Sequence, residues 1–304
     1  MKLSVTHETR YEYAYAVEQA HHIAHLKPIV TPQQQVLSHE ISIEPKPASL
    51  AHSRDSYGQE RVYFELATPH PELVVTAVSV VVTPTLPATM TGKLAGVTVP
   101  ESMAWEAVAE HMLYTAGQSF DAAREFAQPS PLAPVHAVFA KYASETSATA
   151  MPVYELAKAL CHRIYTEFKY SPEATEVTTP PQEALSLKKG VCQDFAQVMI
   201  AGLRSLGLAA RYVSGYLLTQ PPPGKPRLVG ADASHAWVSV YCPQAGWLDF
   251  DPTNDCLAGE SHVTLAYGRD YSDVPPLRGV IRGGGSHELT VAVTVTPLGE
   301  AATA

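Results

Sequence analysis

The spacing of hydrophobic residues changes once along the chain, and this change constrains the fold more than any other feature. Up to about residue 85, hydrophobic and polar residues alternate in short runs separated by Pro, Gly and Asp-Ser turn signals, a pattern that predicts strands. A Pro/Thr/Gly-rich stretch from Pro84 to Pro100 follows and predicts a boundary. We therefore expect an α+β protein with an N-terminal β-sandwich-like domain at residues 1–95 and a second domain at residues 96–304. The predicted strands of the first domain are Thr6–Tyr15, Val36–Ile43, Arg61–Leu66 and Leu73–Thr83.

The second domain mixes helical and strand-like segments. From Val153 to Phe168 the hydrophobic residues recur every three or four positions, which is the spacing of an amphipathic helix. The segment Cys192–Leu206 has the same spacing and is followed by Gly207, a residue type that commonly ends helices. The other predicted elements are a helix at Glu101–Tyr114, strands at Leu208–Leu218, Ser234–Tyr241, Trp247–Asp251 and Glu288–Pro297, and loops at Ser171–Pro181 and Pro221–Gly224.

The charge and hydropathy of the chain argue against two classes of function. Lys and Arg number 21 and Asp and Glu number 30, so the net charge is −9, and the sequence has no run of basic residues. Binding to nucleic acid or to an anionic membrane needs a basic face, so we expect neither. The longest apolar stretch, Leu73–Val82, is too short to span a bilayer.

The N-terminal segment and the cysteines indicate a compartment. Residues 1–13 lack the apolar core of a secretory signal peptide. The four cysteines form no CxxC pair and no regular framework, and a chain of 304 residues can bury a core without disulfides. We therefore expect reduced thiols and a cytoplasmic protein. The sequence does not indicate the oligomeric state.

One cysteine, Cys192, stands at the predicted start of a helix, directly after Gly190 and Val191. The unpaired N–H groups and the positive end of the helix dipole favour a thiolate at such a position. A buried and unreactive side chain is the commoner fate of cysteine, so position alone leaves both interpretations open.

His235 and Asp251 are predicted to be neighbours on a β-hairpin. If residues 242–246 form its loop, Trp237 pairs with Asp251. Because side chains alternate between the two faces, His235 and Asp251 then share a face as diagonal neighbours, with Cβ atoms at most ~7–8 Å apart. An imidazole and a carboxylate can hydrogen-bond across that distance. Asp249 lies further from His235 in this register, so we favour Asp251 as the partner.

A thiol, an imidazole and a carboxylate together can cleave an amide. The thiolate attacks the acyl carbon, the histidine keeps the thiol ionised and protonates the leaving group, and the carboxylate fixes the imidazole tautomer. Taken alone, His235 is more often a core histidine and Asp251 a turn residue before Pro252. Combined with Cys192, they favour a catalytic triad that needs no cofactor.

Ordered motifs along the chain carry a family resemblance. Together they resemble the bacterial branch of the transglutaminase-like superfamily that contains candidate cysteine proteases, and they cover nearly the whole chain. The motifs are THETRYEY (6–13), GVCQDFA (190–196), ARYVSGY (210–216), SHAWVSVY (234–241), GWLDFDPTN (246–254) and HVTLAYGRDYSDVPPLRG (262–279).

The resemblance implies a papain-like and transglutaminase-like core, in which a helix carrying the nucleophile packs on an antiparallel sheet. It assigns Cys192 as nucleophile, His235 as general base and Asp251 as orienting acid. The implied activity is acyl transfer from an amide of a peptide or protein through a thioester, as in a peptidase or amidase. Amine transfer of the transglutaminase type stays open, as do a non-catalytic binding module and a partner-recruiting N-terminal domain. Gln197 departs from the family, which often has histidine there.

Supporting residues are also predicted around Cys192. Its backbone N–H is a candidate oxyanion donor, because helix N-termini present free N–H groups. Gln193 and Tyr170 are candidates for the second donor. Asp194 and Arg211 are expected to form a buried structural pair.

We expect no metal or cofactor. Two sets of residues contain metal-ligating types, yet neither has the spacing of a known site. In the first set, His22 would face away from His21 and His25 on a strand. The sets are His21, His22 and His25, and Cys242, Cys256 and His262.

Overall fold

The structure is a computed structural model that describes residues 1–117, 119–219 and 233–299. Within these ranges five α-helices form: α1 (Trp105–Met112), α2 (Ala137–Ser144), α3 (Val153–Glu167), α4 (Pro181–Leu187) and α5 (Cys192–Ser205). The strands of the same ranges are β1 (Lys2–Ala24), β2 (Gln35–Glu44), β3 (Ser49–Arg54), β4 (Glu60–Leu66), β5 (His70–Val82), β6 (Lys169–Tyr170), β7 (Lys189–Gly190), β8 (Ala210–Leu217), β9 (Ala233–Cys242), β10 (Gly246–Asp251), β11 (Cys256–Leu257), β12 (His262–Gly268), β13 (Leu277–Gly283) and β14 (His287–Pro297). Short 3₁₀ helices lie at Ala88–Met90, Leu94–Gly96, Ala122–Ala127 and Tyr271–Asp273. The predicted α+β class is confirmed.

Strand β1 organises the N-terminal sheet, which has seven strands. Its first half pairs with β5 and β14, and its second half pairs with β4 and β13. A register shift between Glu12 and Val17 separates the two halves. Burial alternates along the strand, so one face of each half covers a hydrophobic core. Strands β2 and β3 lie at the two ends of the strand order β2-β5-β1-β4-β3.

The last two strands return to this N-terminal sheet. The sequence analysis placed residues 277–297 with the second domain, whereas β13 and β14 both pair with β1. The physical reason is burial, because Val293 and Val295 pack with Leu3 and Val5 in one hydrophobic cluster. The boundary near residue 95 stays a prediction.

The second sheet has five antiparallel strands in the order β11-β10-β9-β8-β12. Helices α3 and α5 contact it, and residues such as Tyr212, Val238 and Phe250 are buried with them in the main core. The predicted hairpin register is confirmed, since Asp249 pairs with Ser239 across β10 and β9.

The N-terminal region packs directly on the edge strand β12. Gln34 donates its Nε2 hydrogen to the carbonyl of Thr264 and accepts the Thr264 N–H through Oε1, at 2.7 and 2.8 Å. Gln59 makes the same pair of bonds with Tyr267, at 2.9 and 2.6 Å. Two side-chain amides therefore occupy backbone groups that an edge strand would otherwise leave open, and they hold the N-terminal region against β12.

Several predicted elements match the structure closely. Helix α5 begins at Cys192 as expected, and Gly207 follows its end with φ +82°. The predicted helix at Glu101–Tyr114 is only partly confirmed, because α1 covers a shorter segment. The sequence did not predict β3, whose residues are all exposed and therefore show no alternation. The predicted Pro221–Gly224 loop lies outside the described residues.

Candidate active site

Cys192 is the first residue of α5, and the turn before it is fixed by Asp194. The Asp194 carboxylate accepts the N–H of Val191 at 2.8 Å and the hydroxyl hydrogen of Thr175 at 2.7 Å. Gly190 has φ +150°, and a Cβ added there would lie 2.3 Å from Asp194 Oδ2. This position therefore requires glycine. The arrangement leaves Cys192 partly exposed at the helix N-terminus.

His235 and Asp251 meet at the ends of their strands. The Nε2–H of His235 donates to Asp251 Oδ2 at 2.8 Å. His235 is 7% exposed and Asp251 is fully buried. Because Nε2 is occupied by the carboxylate, Nδ1 is the ring nitrogen left for Cys192, which is near enough to raise the pKa of His235. The structure thus brings the three predicted residues together in the predicted order.

Asp251 is held by more donors than His235 alone. Its Oδ1 accepts the backbone N–H groups of Thr253 and Asn254, at 2.9 and 3.1 Å. Its Oδ2 also accepts hydrogen bonds from Asn254 Nδ2 at 2.7 Å and His262 Nε2 at 3.1 Å. Burial raises the pKa of this carboxyl, but the charge of His235 and the hydrogen bonds outweigh it and hold the pKa well below its usual range.

The carboxylate in turn determines the charge of His235. Burial lowers the pKa of this imidazole, but the Asp251 charge and the hydrogen bonds to Asp251 and Cys192 raise it to about 10. His235 therefore carries its proton at neutral pH. A protonated imidazole beside a thiol favours a thiolate–imidazolium pair.

Family models match both regions of the chain. The transglutaminase-like superfamily matches residues 140–252, and the bacterial transglutaminase-like N-terminal region matches residues 3–82. An uncharacterized protein of Mycobacterium tuberculosis is 40% identical over 299 residues, which is 96% of this chain and 92% of that protein. The chain belongs to the transglutaminase-like superfamily. An uncharacterized protein of Mycobacterium leprae is 31% identical over 303 residues, covering 98% of this chain and 99% of the relative.

A solved structure supports the fold of this transglutaminase-like protein. The crystal structure of a candidate cysteine protease from Cytophaga hutchinsonii matches with a TM-score of 0.73. The match covers 100% of this chain and 92% of the other, at 19% sequence identity. The chain therefore has a transglutaminase-like fold. This fold combines helices, an antiparallel sheet and a strand-rich N-terminal region.

The two candidates for a second oxyanion donor lie on either side of Cys192 in the sequence. Gln193 donates its Nε2 hydrogen to the carbonyl of Val177 at 3.0 Å, so this side chain fixes the loop before α4. Tyr170 is 50% exposed and packs edge-on to Phe195, with ring centroids 6.3 Å apart. Both residues stay predictions as oxyanion donors.

The expected pair of Asp194 and Arg211 does not form. Asp194 faces Val191 and Thr175 instead, as described above. The Arg211 guanidinium lies between two aromatic rings, 4.1 Å from the Trp247 centroid and 3.8 Å from that of Tyr267. The two side chains belong to opposite faces of the second sheet, because α5 packs against the other face of β8.

His262 is the site residue that the sequence analysis missed in this transglutaminase-like protein. The sequence analysis named it only in a set of metal-ligating residue types without the spacing of a known site, whereas the structure places its Nε2 on Asp251. Its strand, β12, lies two strands away from β9 in the sheet, so hairpin register cannot locate it. The one signal in the sequence is its position at the start of the HVTLAYGRDY segment, which resembles the family.

His235, Asp251 and His262 have ligand atoms within 4.8 Å of one another, as a metal site would require. The hydrogen bonds argue against such a role. The Gly259 N–H donates to His262 Nδ1 at 3.2 Å, so the proton of this ring is on Nε2. A protonated nitrogen cannot bind a metal, and Nε2 is the atom that faces the cluster.

A cavity of about 770 Å³ lies on the face of the second sheet that is turned away from α5. Residues 27–34 and 57–60 of the N-terminal region form its other wall, and His262 and Asp249 line it. Cys192 is not among the described residues that line it. A molecule in this cavity would therefore contact His262, which hydrogen-bonds to Asp251.

Proposed function

We propose that this transglutaminase-like protein is a cysteine-dependent enzyme that transfers the acyl group of an amide through a thioester. Its proposed substrates are peptides or proteins, and Cys192, His235 and Asp251 are the proposed catalytic residues. The observation that carries the proposal is that His235 contacts Asp251 at 2.8 Å while Cys192, at the start of α5, is near enough to raise the pKa of the same imidazole. The thiol comes from the first residue of α5, and the imidazole and the carboxylate come from the β9–β10 hairpin. These three groups are the ones that the proposed reaction needs.

The proposed reaction has two steps. The Cys192 thiolate attacks the carbonyl carbon, a C–S bond forms, and the carbonyl electron pair moves onto oxygen near the Cys192 N–H. The His235 imidazolium then donates its proton to the amine as the C–N bond breaks, which leaves a thioester. In the second step neutral His235 takes a proton from water, which attacks the thioester and releases the acid and the thiolate.

Water is the acyl acceptor that we propose, so the enzyme is a peptidase or amidase. Cys192 is partly exposed, and transfer to an amine would need a site that excludes water. One observation favours amine transfer as the second candidate. A protein-glutamine gamma-glutamyltransferase of Pseudomonas aeruginosa is 36% identical over 104 residues, or 32% of this chain and 16% of that protein.

The decisive experiment measures the alkylation of each cysteine by iodoacetamide against pH, with mass spectrometry as the readout. We expect Cys192 to react well below the ordinary thiol pKa of about 8.5, and to lose this reactivity in His235→Ala. Cys256 is the matched internal control, because it is also partly exposed and burial raises the pKa of its thiol to about 12.

Equal alkylation of Cys192 and Cys256 at every pH would contradict the proposal and favour a non-catalytic binding module. To separate the two acyl acceptors, the protein is incubated with glutamine peptides and a labelled amine. More free acid than conjugate supports hydrolysis, and more conjugate than free acid supports amine transfer.

We also propose a cytoplasmic location, for which the support is that all four cysteines are free thiols. None of the helices in the described ranges is long and apolar enough to cross a bilayer. Fractionation of cells that express the full chain tests this proposal, and recovery in the periplasmic fraction would overturn it.

A further inference from the structure

We propose that His262 is a positioning residue of this site: by sharing the Asp251 carboxylate oxygen with His235, it limits how strongly Asp251 stabilises the protonated imidazole of His235. The inference rests on the proposed function, because the imidazolium that Asp251 stabilises through Nε2 is the one that must give its Nδ1 proton to the leaving group. His262 is contributed by β12, and neither the hairpin nor the helix that carries Cys192 includes it.

The tautomer of His262 is fixed by its surroundings. The Gly259 N–H donates to Nδ1 at 3.2 Å, so Nδ1 carries a lone pair and Nε2 carries the proton. That proton is donated to Asp251 Oδ2 at 3.1 Å. The ring is 7% exposed and packs edge-on to Trp237 with centroids 5.2 Å apart. His262 can therefore act on Asp251 as a donor.

Three donors converge on the same carboxylate oxygen. His235 Nε2, His262 Nε2 and Asn254 Nδ2 lie 2.8, 3.1 and 2.7 Å from Asp251 Oδ2. A carboxylate oxygen has two lone-pair sites, so the three donors compete for its negative charge. The charge that His262 and Asn254 engage is not available to hold the proton on His235.

This competition matters because His235 must release its proton during the reaction. A general acid works best when its pKa lies near the operating pH, and a buried carboxylate without other donors would hold the imidazolium too tightly. His262 therefore helps to hold Asp251 as an anion, and it also reduces how strongly that anion stabilises the His235 imidazolium.

The groups that face His235 are few among the described residues, so a change can be assigned. Cys192 faces it from α5, Asp251 from β10 and Asn254 from the turn after β10. The ring of Trp237 on its own strand and that of His262 on β12 both lie with centroids 6.1 Å away. Of these, Cys192, Asp251 and His262 are the titratable groups.

The test compares His262→Leu, which removes the donor, with His262→Gln, whose amide nitrogen can replace it. The readouts are an NMR titration of ¹⁵N-labelled histidines and the pH dependence of Cys192 alkylation. We expect the His235 titration to move up by about one pH unit in His262→Leu, and to return to within a few tenths of the wild-type value in His262→Gln. The control is His7→Leu, which removes another buried histidine with two hydrogen bonds, to Tyr216 and Thr9, and is expected to leave His235 unchanged.

An unchanged or lowered His235 titration in folded His262→Leu overturns the inference, because a purely structural histidine predicts no upward shift. If His262→Leu does not fold, His262→Phe fills the ring volume without a donor and gives the same comparison. Failure of the proposed function is distinguishable, since it is seen as wild-type Cys192 reactivity that does not depend on His235. The NMR titration reads the effect of His262 in either case.

Discussion

The N-terminal sheet and the candidate site both bury histidines, but those of the sheet are neutral and the one in the site is charged. In the sheet, His7 and His22 are 1% and 5% exposed, and burial lowers the pKa of each to about 4. In the site, His235 is just as buried at 7%. Burial lowers its pKa too, but the neighbouring Asp251 raises it to about 10. Burial alone therefore makes histidine neutral, and a carboxylate in contact reverses the outcome.

The comparison also shows what such a carboxylate needs. The hydrogen-bond partners of His7 are two neutral hydroxyls, those of Tyr216 and Thr9. Asp251 stays charged in the interior because two backbone N–H groups of the following turn and three side-chain donors stabilise the anion. His235 is therefore charged because the turn after β10 stabilises the Asp251 anion beside it.

The largest expected effect comes from removing that charge with Asp251→Asn. The pKa of His235 should fall from about 10 towards the value of about 4 that burial gives His7. Cys192 alkylation at pH 7 should then drop to the rate of Cys256. NMR titration of the histidines measures the shift, with His7 as the internal control. A His235 pKa that stays above 6.5 would contradict the comparison.

The reverse change creates a carboxylate beside a neutral histidine. Thr9 Oγ1 lies 2.9 Å from His7 Nε2, so Thr9→Asp should raise the pKa of His7 by at least two pH units or so. Thr9→Asn is the matched control, since it has the same shape without the charge. The same NMR titration measures both variants, and equal His7 titrations in the two would show that contact with a carboxylate is not sufficient.

The neutral histidine also predicts a pH dependence of stability. The pKa of His7 is about 4 in the folded chain and about 6.5 when unfolded, so the unfolded state binds more protons between these values. The free energy of unfolding is therefore not reduced by His7 above pH 6.5. It falls as the pH drops towards 4, by about 3 kcal/mol at most.

The variant His7→Gln tests this pH dependence. Its free energy of unfolding should fall less between pH 7 and pH 4.5 than that of the wild type, because glutamine binds no proton in this range. Urea unfolding at the two pH values measures the difference. Parallel losses in the two proteins would mean that His7 is not the group responsible.

The smallest effect is expected for Asp249→Asn. The Asp249 carboxylate accepts the Trp237 Nε1–H at 3.0 Å, and Asp249 lies two residues before Asp251 on β10. We expect the His235 titration to move by less than about 0.5 pH units, because the charge is not in contact with the imidazole. A shift comparable to that of Asp251→Asn would show that charges without contact to the imidazole also determine the charge of His235.

Local features of the site were predictable from the sequence. The register of β9 and β10 followed from a short loop and the alternation of side chains, so His235 and Asp251 could be placed on one face. The position of Cys192 followed from the spacing of hydrophobic residues in α5. In both cases the residues that matter lie within one hairpin or one helix.

Long-range features were not predictable by the same reasoning. His262 reaches Asp251 from a strand that pairs with β8, and nothing in the local spacing indicates that pairing. In the same way, the sequence predicted a strand at Glu288–Pro297 but not its partner β1. The Asp194 and Arg211 pair was wrong because complementary charges near each other in sequence do not report which sheet face each side chain occupies.

The pairing of β1 with β14 has a mechanical consequence. Leu3 lies opposite Pro297, and the two strands run antiparallel from there to Tyr13 and His287. A load applied to residues 3 and 297 therefore pulls at one end of the ladder, and its hydrogen bonds break in sequence instead of sharing the force. Stretched from these two points, the N-terminal sheet should peel open at low force, while the hairpin that carries His235 stays closed until the load reaches it.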